Sequence, residues 1–354
     1  MFTYKKIFTC LSPKALLFVL LLSNNLLIAQ KTKLTIEGKV VDSQSGEPIE
    51  LVNVYLSETT LGAATDKNGN FKIPDVPPSL FTLVSSAIGY EPSMVSLDLR
   101  TGTSKFINIR MTPKTYEIEE VDVKAKQDPN WRKQLEIFKE KFFGQNDFAR
   151  SCEIVNPYHI NFVETSEKLT AETNIPIKVR NNALGYEIEC VLNYFEYDKI
   201  KRSTRFEVLP KFYELKTSAR DSTKIFLENR EIAYLGSTMH LLSSLAKGRF
   251  NYRDEGFILK LGAKTIGRAE EIVSHDSTSN RYYLKFDGCI NIQFWNNILR
   301  ISSNSKICLK FGSTEFSPDG YLIYPNQFEI TGAMANEGIA TQLPRFFKMT
   351  NEDY

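Results

Sequence analysis

From Leu34 onward the chain alternates apolar and polar residues in short runs separated by turn residues. "LTIEGKVVD" (34–42), "LVNVYL" (51–56), "FTLVSSAIGY" (81–90), "MVSLDL" (94–99) and "KFINIRM" (105–111) each read as a strand. "SQSGEPI" and "PDVPPS" read as the turns between them. Short strands at this spacing predict an antiparallel β-sandwich. The period changes at "QDPNWRKQLEIFKEKFFG". There Asp128 can cap a helix with Pro129 in its first turn, and Trp131, Leu135, Phe138 and Phe142 fall on one face before Gly144 ends it. Alternation returns in "YHINF", "KLTAETN" and, over the longest stretch, "YEIECVLNYFEYD" (186–198), with "IPIKVRNNALG" as a connection. "STKIFLENREIAYLGSTMHLLSSLAKG" predicts a helix with Ile225, Leu227, Ile232 and Leu235 on its apolar face. Gly236 should interrupt it, Ser237 should cap a second helix, and Gly248 should end that one. "GFILKLG", "RYYLKFDG", "INIQFW", "KICLKFG", "GYLIYPN" and "QFEITG" then read as strand and turn. The fold class is mainly β with some α: a sandwich over residues 31–125, then an α+β domain over 126–354.

"TDKNGNFKI" (65–73) places Asp66, Asn68 and Asn70 at every second position. An EF-hand loop counted from Asp66 would need Gly at position 6 and Glu at position 12. Gly69 stands at position 4 and Pro77 at position 12. The Asn68-Gly69 dipeptide suits positive φ, so the segment reads as a β-hairpin turn closed by Asp66, with no metal bound.

"GKVVDSQSGEPIELVNVYL", "ATDKNGNFKIPDVP" and "LVSSAIGYEP" resemble the carboxypeptidase regulatory-like domain of Bacteroidetes proteins. The resemblance runs from Leu34 to about Ala125 and implies a small transthyretin-like, Ig-like β-sandwich. "IEEVDVKA" (118–125) resembles the strand that ends this module ahead of the plug of TonB-dependent receptors. The resemblance implies no peptidase. The zinc site of the carboxypeptidases lies in a separate domain and begins His-x-x-Glu, whereas His159, His240 and His275 open "HINF", "HLLS" and "HDST". The segments from Trp131 to Phe347 resemble the C-terminal part of secreted Bacteroidetes proteins that carry this module and little else, which implies an architecture and no activity.

The first thirty residues change the picture of location. Lys5, Lys6 and Lys14 precede or flank "ALLFVLLL" (15–22), and Ala29 offers a cleavage position, the order of a secretory signal peptide. Export to the periplasm or to an outer-membrane-associated position is expected. Cleavage would leave 41 basic against 42 acidic residues, a balance without global attraction for nucleic acid. Cys152, Cys190, Cys289 and Cys308 would remain, widely spaced and without a CxxC pair. Buried free thiols are the expected reading, although an exported chain could form disulfides.

Candidate chemistry is sparse. No G-x-S-x-G, P-loop or dinucleotide fingerprint is present. The adjacent pairs Glu119-Glu120 and Glu270-Glu271 would face opposite ways in a strand. The best polar cluster is "NREIAYLGSTMHLL", where Arg230, Tyr234, Ser237 (or Thr238) and His240 could converge at a helix junction on a bound group. No catalytic residue, metal or cofactor is assigned. The expected function is a non-catalytic envelope protein that binds or scaffolds a protein or glycan partner, with peripheral association with the outer membrane. The alternative is an envelope hydrolase, directed at peptide or glycan, with its site in the second domain.

Overall fold

The computed structural model describes residues 33–114, 128–217 and 220–349. The expected signal peptide, "IEEVDVKA" and Glu119-Glu120 lie outside the described residues. The first unit contains β1 (Leu34–Asp42), β2 (Asn53–Leu56), β3 (Gly62–Ala64), β4 (Asn70–Val76), β5 (Leu80–Ser86), β6 (Ser93–Asp98) and β7 (Lys105–Met111). They form two sheets, β4-β1-β7 and β3-β2-β5-β6. All pairs are antiparallel except β1 with β7. Ile36, Val40, Val54, Leu56, Phe71, Leu83 and Ile109 fill the space between the sheets.

The Asn68-Gly69 turn has the expected chemistry and a different topology. Gly69 has φ +76°, and Asp66 Oδ1 accepts from the amides of Asn68 (2.9 Å) and Asn70 (2.8 Å). Those hydrogen bonds, the Asn70 amide first, hold the Asp66 carboxyl below its ordinary pKa. The flanking strands, however, belong to different sheets: β3 pairs with β2, and β4 with β1. The turn is therefore an arch between sheets, which corrects the hairpin expected from the sequence. The Gly69 carbonyl also accepts from Val40 N at 2.8 Å, and a Cβ at this position would run into the Val40 carbonyl. Gly69→Ala should destabilise the protein by more than the ~1 kcal/mol of the backbone term alone. Asp66→Ala should cost less than Gly69→Ala, through loss of its hydrogen bonds to the Asn68 and Asn70 amides. Thermal melts of both variants test this order.

α1 (Pro129–Phe143) has the cap read from the sequence, with Asp128 accepting from Asn130 N at 3.1 Å. Its buried face, Leu135, Phe138 and Phe142, lies on a six-stranded sheet. That sheet contains β8 (Cys152–Ile154), β9 (Ile160–Glu164), β10 (Lys168–Thr173), β11 (Ile177–Asn181), β12 (Tyr186–Asp198) and β13 (Ser203–Glu214). One edge of β12 pairs with β13 along its length, and the other pairs first with β11 and then with β10. β11 lies in the segment the sequence reading treats as a connection. Tyr186, Ile188 and Cys190 point into this core. Ile339, Ala340 and Leu343, near the chain's end, return to complete it.

α2 (Arg220–Tyr234) and α3 (Thr238–Ala246) meet at Gly236, whose φ is +77°. The remaining strands are β14 (Phe257–Leu261), β15 (Lys264–Ile266), β16 (Val273–Asp276), β17 (Arg281–Lys285), β18 (Cys289–Asn296), β19 (Ile301–Leu309), β20 (Ser313–Phe316) and β21 (Phe328–Gly332). They form sheets β15-β14-β18-β19-β21 and β16-β17-β20 around a further core with Leu242, Phe257, Ile292 and Phe316. "GYLIYPN" is not a strand; it makes one bridge, Leu322 to Phe316, and a short turn at Pro325–Gln327. Cys289 and Cys308 face each other across β18 and β19 and form a disulfide. This corrects the reading of four free thiols; Cys152 and the buried Cys190 are free. Burial pushes the Cys152 thiol up to about 12 and the Cys190 thiol higher still.

Candidate functional site

A sandwich sheet commonly turns its outer face to water. Here the outer face of β2 and β5 carries Tyr55 and Val84, which are 1% and 0% exposed. They meet Val191 of β12 and Leu209 of β13, so the first unit is seated on the six-stranded sheet. The Tyr55 hydroxyl donates to the Leu209 carbonyl (2.9 Å). Backbone bonds run alongside, from Glu58 N to Pro210 O (2.6 Å) and from Phe212 N to Thr59 O (3.0 Å). The loop after β2 thus pairs with β13.

Two polar clusters reinforce this joint. Arg345 is 1% exposed at its side chain and grips Asp319 through Nε (2.7 Å) and Nη2 (3.1 Å). It also donates to Leu80 O and Ser79 Oγ, both at 2.8 Å, and lies over the rings of Phe81 and Tyr321. One side chain therefore connects the first unit, the last core and the C-terminal tail. Arg100, just after β6, reaches Glu315 of β20 at 2.5 Å. Glu58 sits beside Arg345, with Asp319, Tyr321 and Gln342 facing it, and burial raises its carboxyl to about 7. The Arg345 charge and the hydrogen bonds from Gln342 and Tyr321 act the other way. A carboxyl with a raised folded pKa binds more protons folded than unfolded, so stability falls as pH rises from about 4.5 to about 7. Glu58→Gln should flatten that part of the profile, measurable by denaturant melts at pH 5 and pH 8.

Beside this joint the two units leave a groove of about 470 Å³. Leu51, Ile88 and Met94 form an apolar lip on the first unit, and Leu51 and Ile88 are 75% and 88% exposed. Asn53, Lys178 and Glu189 line the groove with polar groups, and Lys211 and Tyr213 stand behind them. Asn53 Nδ2 donates to Glu189 Oε2 (3.0 Å) and contacts the Tyr213 hydroxyl (3.1 Å), while its Oδ1 accepts from Lys211 Nζ (2.7 Å). Tyr213 donates to Glu189 Oε2 (3.1 Å), and Lys178 pairs with Glu189 Oε1 (3.3 Å). Lys211 is buried against the rings of Tyr55 and Tyr213. That burial lowers its pKa, with the Glu189 charge opposing. Both Glu189 oxygens are engaged within this network. A second concavity of about 390 Å³ shares Asn193 with the groove and continues over the sheet past Tyr194 and Arg205.

The residues singled out from the sequence lie elsewhere. Arg230 is buried and donates to Leu184 O (2.8 Å), Gly185 O (3.3 Å) and Glu214 (3.2 Å), with its guanidinium 3.9 Å from the Tyr186 ring centre. It therefore takes the inward face of α2 with Ala233 and Tyr234, while Ile225 and Ile232 are exposed, which corrects the expected apolar face. Tyr234 and His240 are brought together, ring centres 4.8 Å apart. His240 is 1% exposed; its Nδ1 accepts from Gly236 N (3.1 Å) and its Nε2 meets Glu255 (3.2 Å). Both ring nitrogens are committed. Ser237 caps α3 by accepting from His240 N at 3.1 Å, and it rims a cavity of about 250 Å³. In that cavity the Glu337 carboxyl accepts from Thr238 N (3.0 Å), so a side chain of the protein already occupies the helix start, and burial raises that carboxyl to about 7. Glu271 is likewise engaged, by Lys264 and by the amides of Gly267 and Arg268. Asn53, Lys178, Glu189, Lys211 and Tyr213 escape the sequence reading. The consecutive apolar residues Val54, Tyr55 and Leu56, all buried in the structure, are the one sequence signal that β2 is covered on both faces.

The CarboxypepD_reg-like domain model matches residues 36–123, and this part of the chain is a domain of that kind, its described residues forming the β-sandwich above. No curated protein matches the chain. Among solved structures, the major pilin subunit BcpA of Bacillus cereus is similar at 14% identity over 23% of this chain, with a TM-score of 0.20. The match spans 31% of that pilin. A cohesin–X-dockerin complex of Acetivibrio cellulolyticus is similar at 21% identity over 33% of this chain and 79% of that one, TM-score 0.21. The Bacillus anthracis TIE protein is similar at 9% identity over 87% of this chain and 49% of its own, TM-score 0.21.

Proposed function

We propose that this chain is a non-catalytic cell-envelope protein that holds a protein or glycan partner in the groove between its regulatory-like domain and the six-stranded sheet. The observation that carries the reading is that Asn53, Glu189 and Lys178, braced by Tyr213, line the same groove as the apolar Leu51, Ile88 and Met94. Donors and acceptors beside apolar surface in one groove suit a ligand with a polar edge and an apolar face, such as a sugar ring or an extended peptide. Export to the periplasm or to an outer-membrane-associated position is part of the proposal. The leader pattern supports it, and so does the Cys289–Cys308 disulfide, which fits an oxidising compartment. Among the described residues no helix is long and apolar enough to cross a membrane. Arg230, Tyr234 and His240 are assigned to holding the α2–α3 joint, with Ser237 as its cap.

A photo-crosslinking residue at Met94 tests the reading in growing cells. It should trap an envelope protein or glycan, and the same residue at exposed Ile200 should not. Asn53→Ala with Glu189→Gln should reduce the adduct on the order of tenfold, the size of losing one or two charge-assisted hydrogen bonds. Equal labelling from Met94 and Ile200 would count against the groove.

A further inference from the structure

The turn joining β18 to β19 has an unusual composition for a loop tip. Turns are ordinarily built from Gly, Pro, Asn, Asp and Ser. This one reads Asn296-Asn297-Ile298-Leu299-Arg300. Asn296 Oδ1 accepts from the amides of Ile298 (3.1 Å) and Leu299 (2.9 Å), which supplies the turn chemistry and leaves the next two side chains outside. Ile298 is 90% exposed, Leu299 42% and the adjacent Trp295 49%. Trp295 is not needed by the core, because Phe294 beside it fills that role at 2% exposed. Tyr252, 47% exposed, joins the patch from the loop after α3, through a contact of 3.4 Å between its hydroxyl and Asn297. Scattered exposed apolar residues are ordinary, but four on one projection form a patch.

The charge around the patch indicates what it meets. Arg300 closes the turn, and Arg253 follows Tyr252. Neither has an ion pair among the described residues. The nearby carboxylates are turned to other partners: Asp254 accepts from Asn251 at 2.8 Å, and Glu255 meets His240. A tip with Trp, Tyr, Ile and Leu, flanked by unpaired arginines, matches the bilayer interface. There aromatic rings settle at the headgroup level, aliphatic side chains reach the acyl chains, and arginines meet lipid phosphates.

We propose that the β18–β19 tip is a docking point for an anionic phospholipid surface. It seats the protein peripherally and leaves the groove free. The inference is independent of the groove's ligand.

The test uses the chain from Gln30 onward and sedimentation with vesicles of phosphatidylglycerol and phosphatidylcholine, or of phosphatidylcholine alone. The chain should bind the mixed vesicles and bind the neutral ones far less. Arg253→Gln and Arg300→Gln should each weaken binding about fivefold. Ile298→Ser and Leu299→Ser should each weaken it on the order of tenfold, with melting temperature unchanged because both side chains are exposed. The chain holds two tryptophans. In a Trp131→Phe background, Trp295 emission should shift to the blue on mixed vesicles and be quenched by brominated acyl chains. Absence of vesicle binding overturns the proposal, even where the tip captures a delipidated envelope protein. Equal binding to neutral vesicles overturns the anionic assignment, and binding indifferent to Ile298→Ser and Leu299→Ser overturns the tip.

Discussion

Arg345→Met should lower stability by about 3–5 kcal/mol, the cost of removing one partner from a buried ion pair. The guanidinium holds both oxygens of Asp319 and two hydrogen-bond acceptors, Ser79 Oγ and Leu80 O, where β5 begins. Methionine keeps most of the stem's packing on Phe81 and Tyr321 but leaves Asp319, only 9% exposed at its side chain, without its counter-charge. Arg345→Met combined with Asp319→Asn should recover a large part of the loss, because no uncompensated charge then stays buried. Denaturant melts of the two single variants and the double variant measure the coupling. Additive effects would mean that Arg345 acts through packing alone.

The second large effect concerns the disulfide. Cys289 and Cys308 are 19 residues apart, and opening a loop of that length should cost about 3 kcal/mol. Replacing both by serine should therefore lower the melting temperature of the oxidised protein. Under a strong reductant wild type and variant should melt close together. An equal gap in both conditions would show that the serines harm β-sheet packing and that the bond itself contributes little.

Which parts of this fold were legible in the sequence follows from how local their causes are. α1 was legible because its cap, its first-turn proline, its apolar face and its terminal glycine all lie within Asp128–Gly144. β12 was legible because apolar and polar residues alternate from Tyr186 to Cys190 and neither Gly nor Pro interrupts the thirteen residues. β11 was missed because Pro176 before it and Asn181-Asn182 at its end carry the chemistry of a turn. "GYLIYPN" was misread because apolar content without partners on both edges does not make a strand. The inward face of α2 was misread because Arg230 is buried by carbonyls and a tyrosine ring that α2 itself does not contain. At Gly69 the turn chemistry was correct, yet turn chemistry cannot say which sheets its strands join. The groove was least legible, since Asn53 and Lys211 are brought together from 158 residues apart.

The central claim is that the regulatory-like domain and the rest of the chain form one body whose junction makes the groove. Its most direct test is to place a specific protease site between residues 115 and 127, cleave to completion, and run the product on a sizing column without denaturant. The Tyr55, Glu58, Thr59, Arg100 and Arg345 contacts predict that the two fragments elute together at the mass of the intact chain, and separate only when Arg345→Met is combined with Tyr55→Ala. Two independently eluting fragments from the otherwise wild-type chain would contradict it.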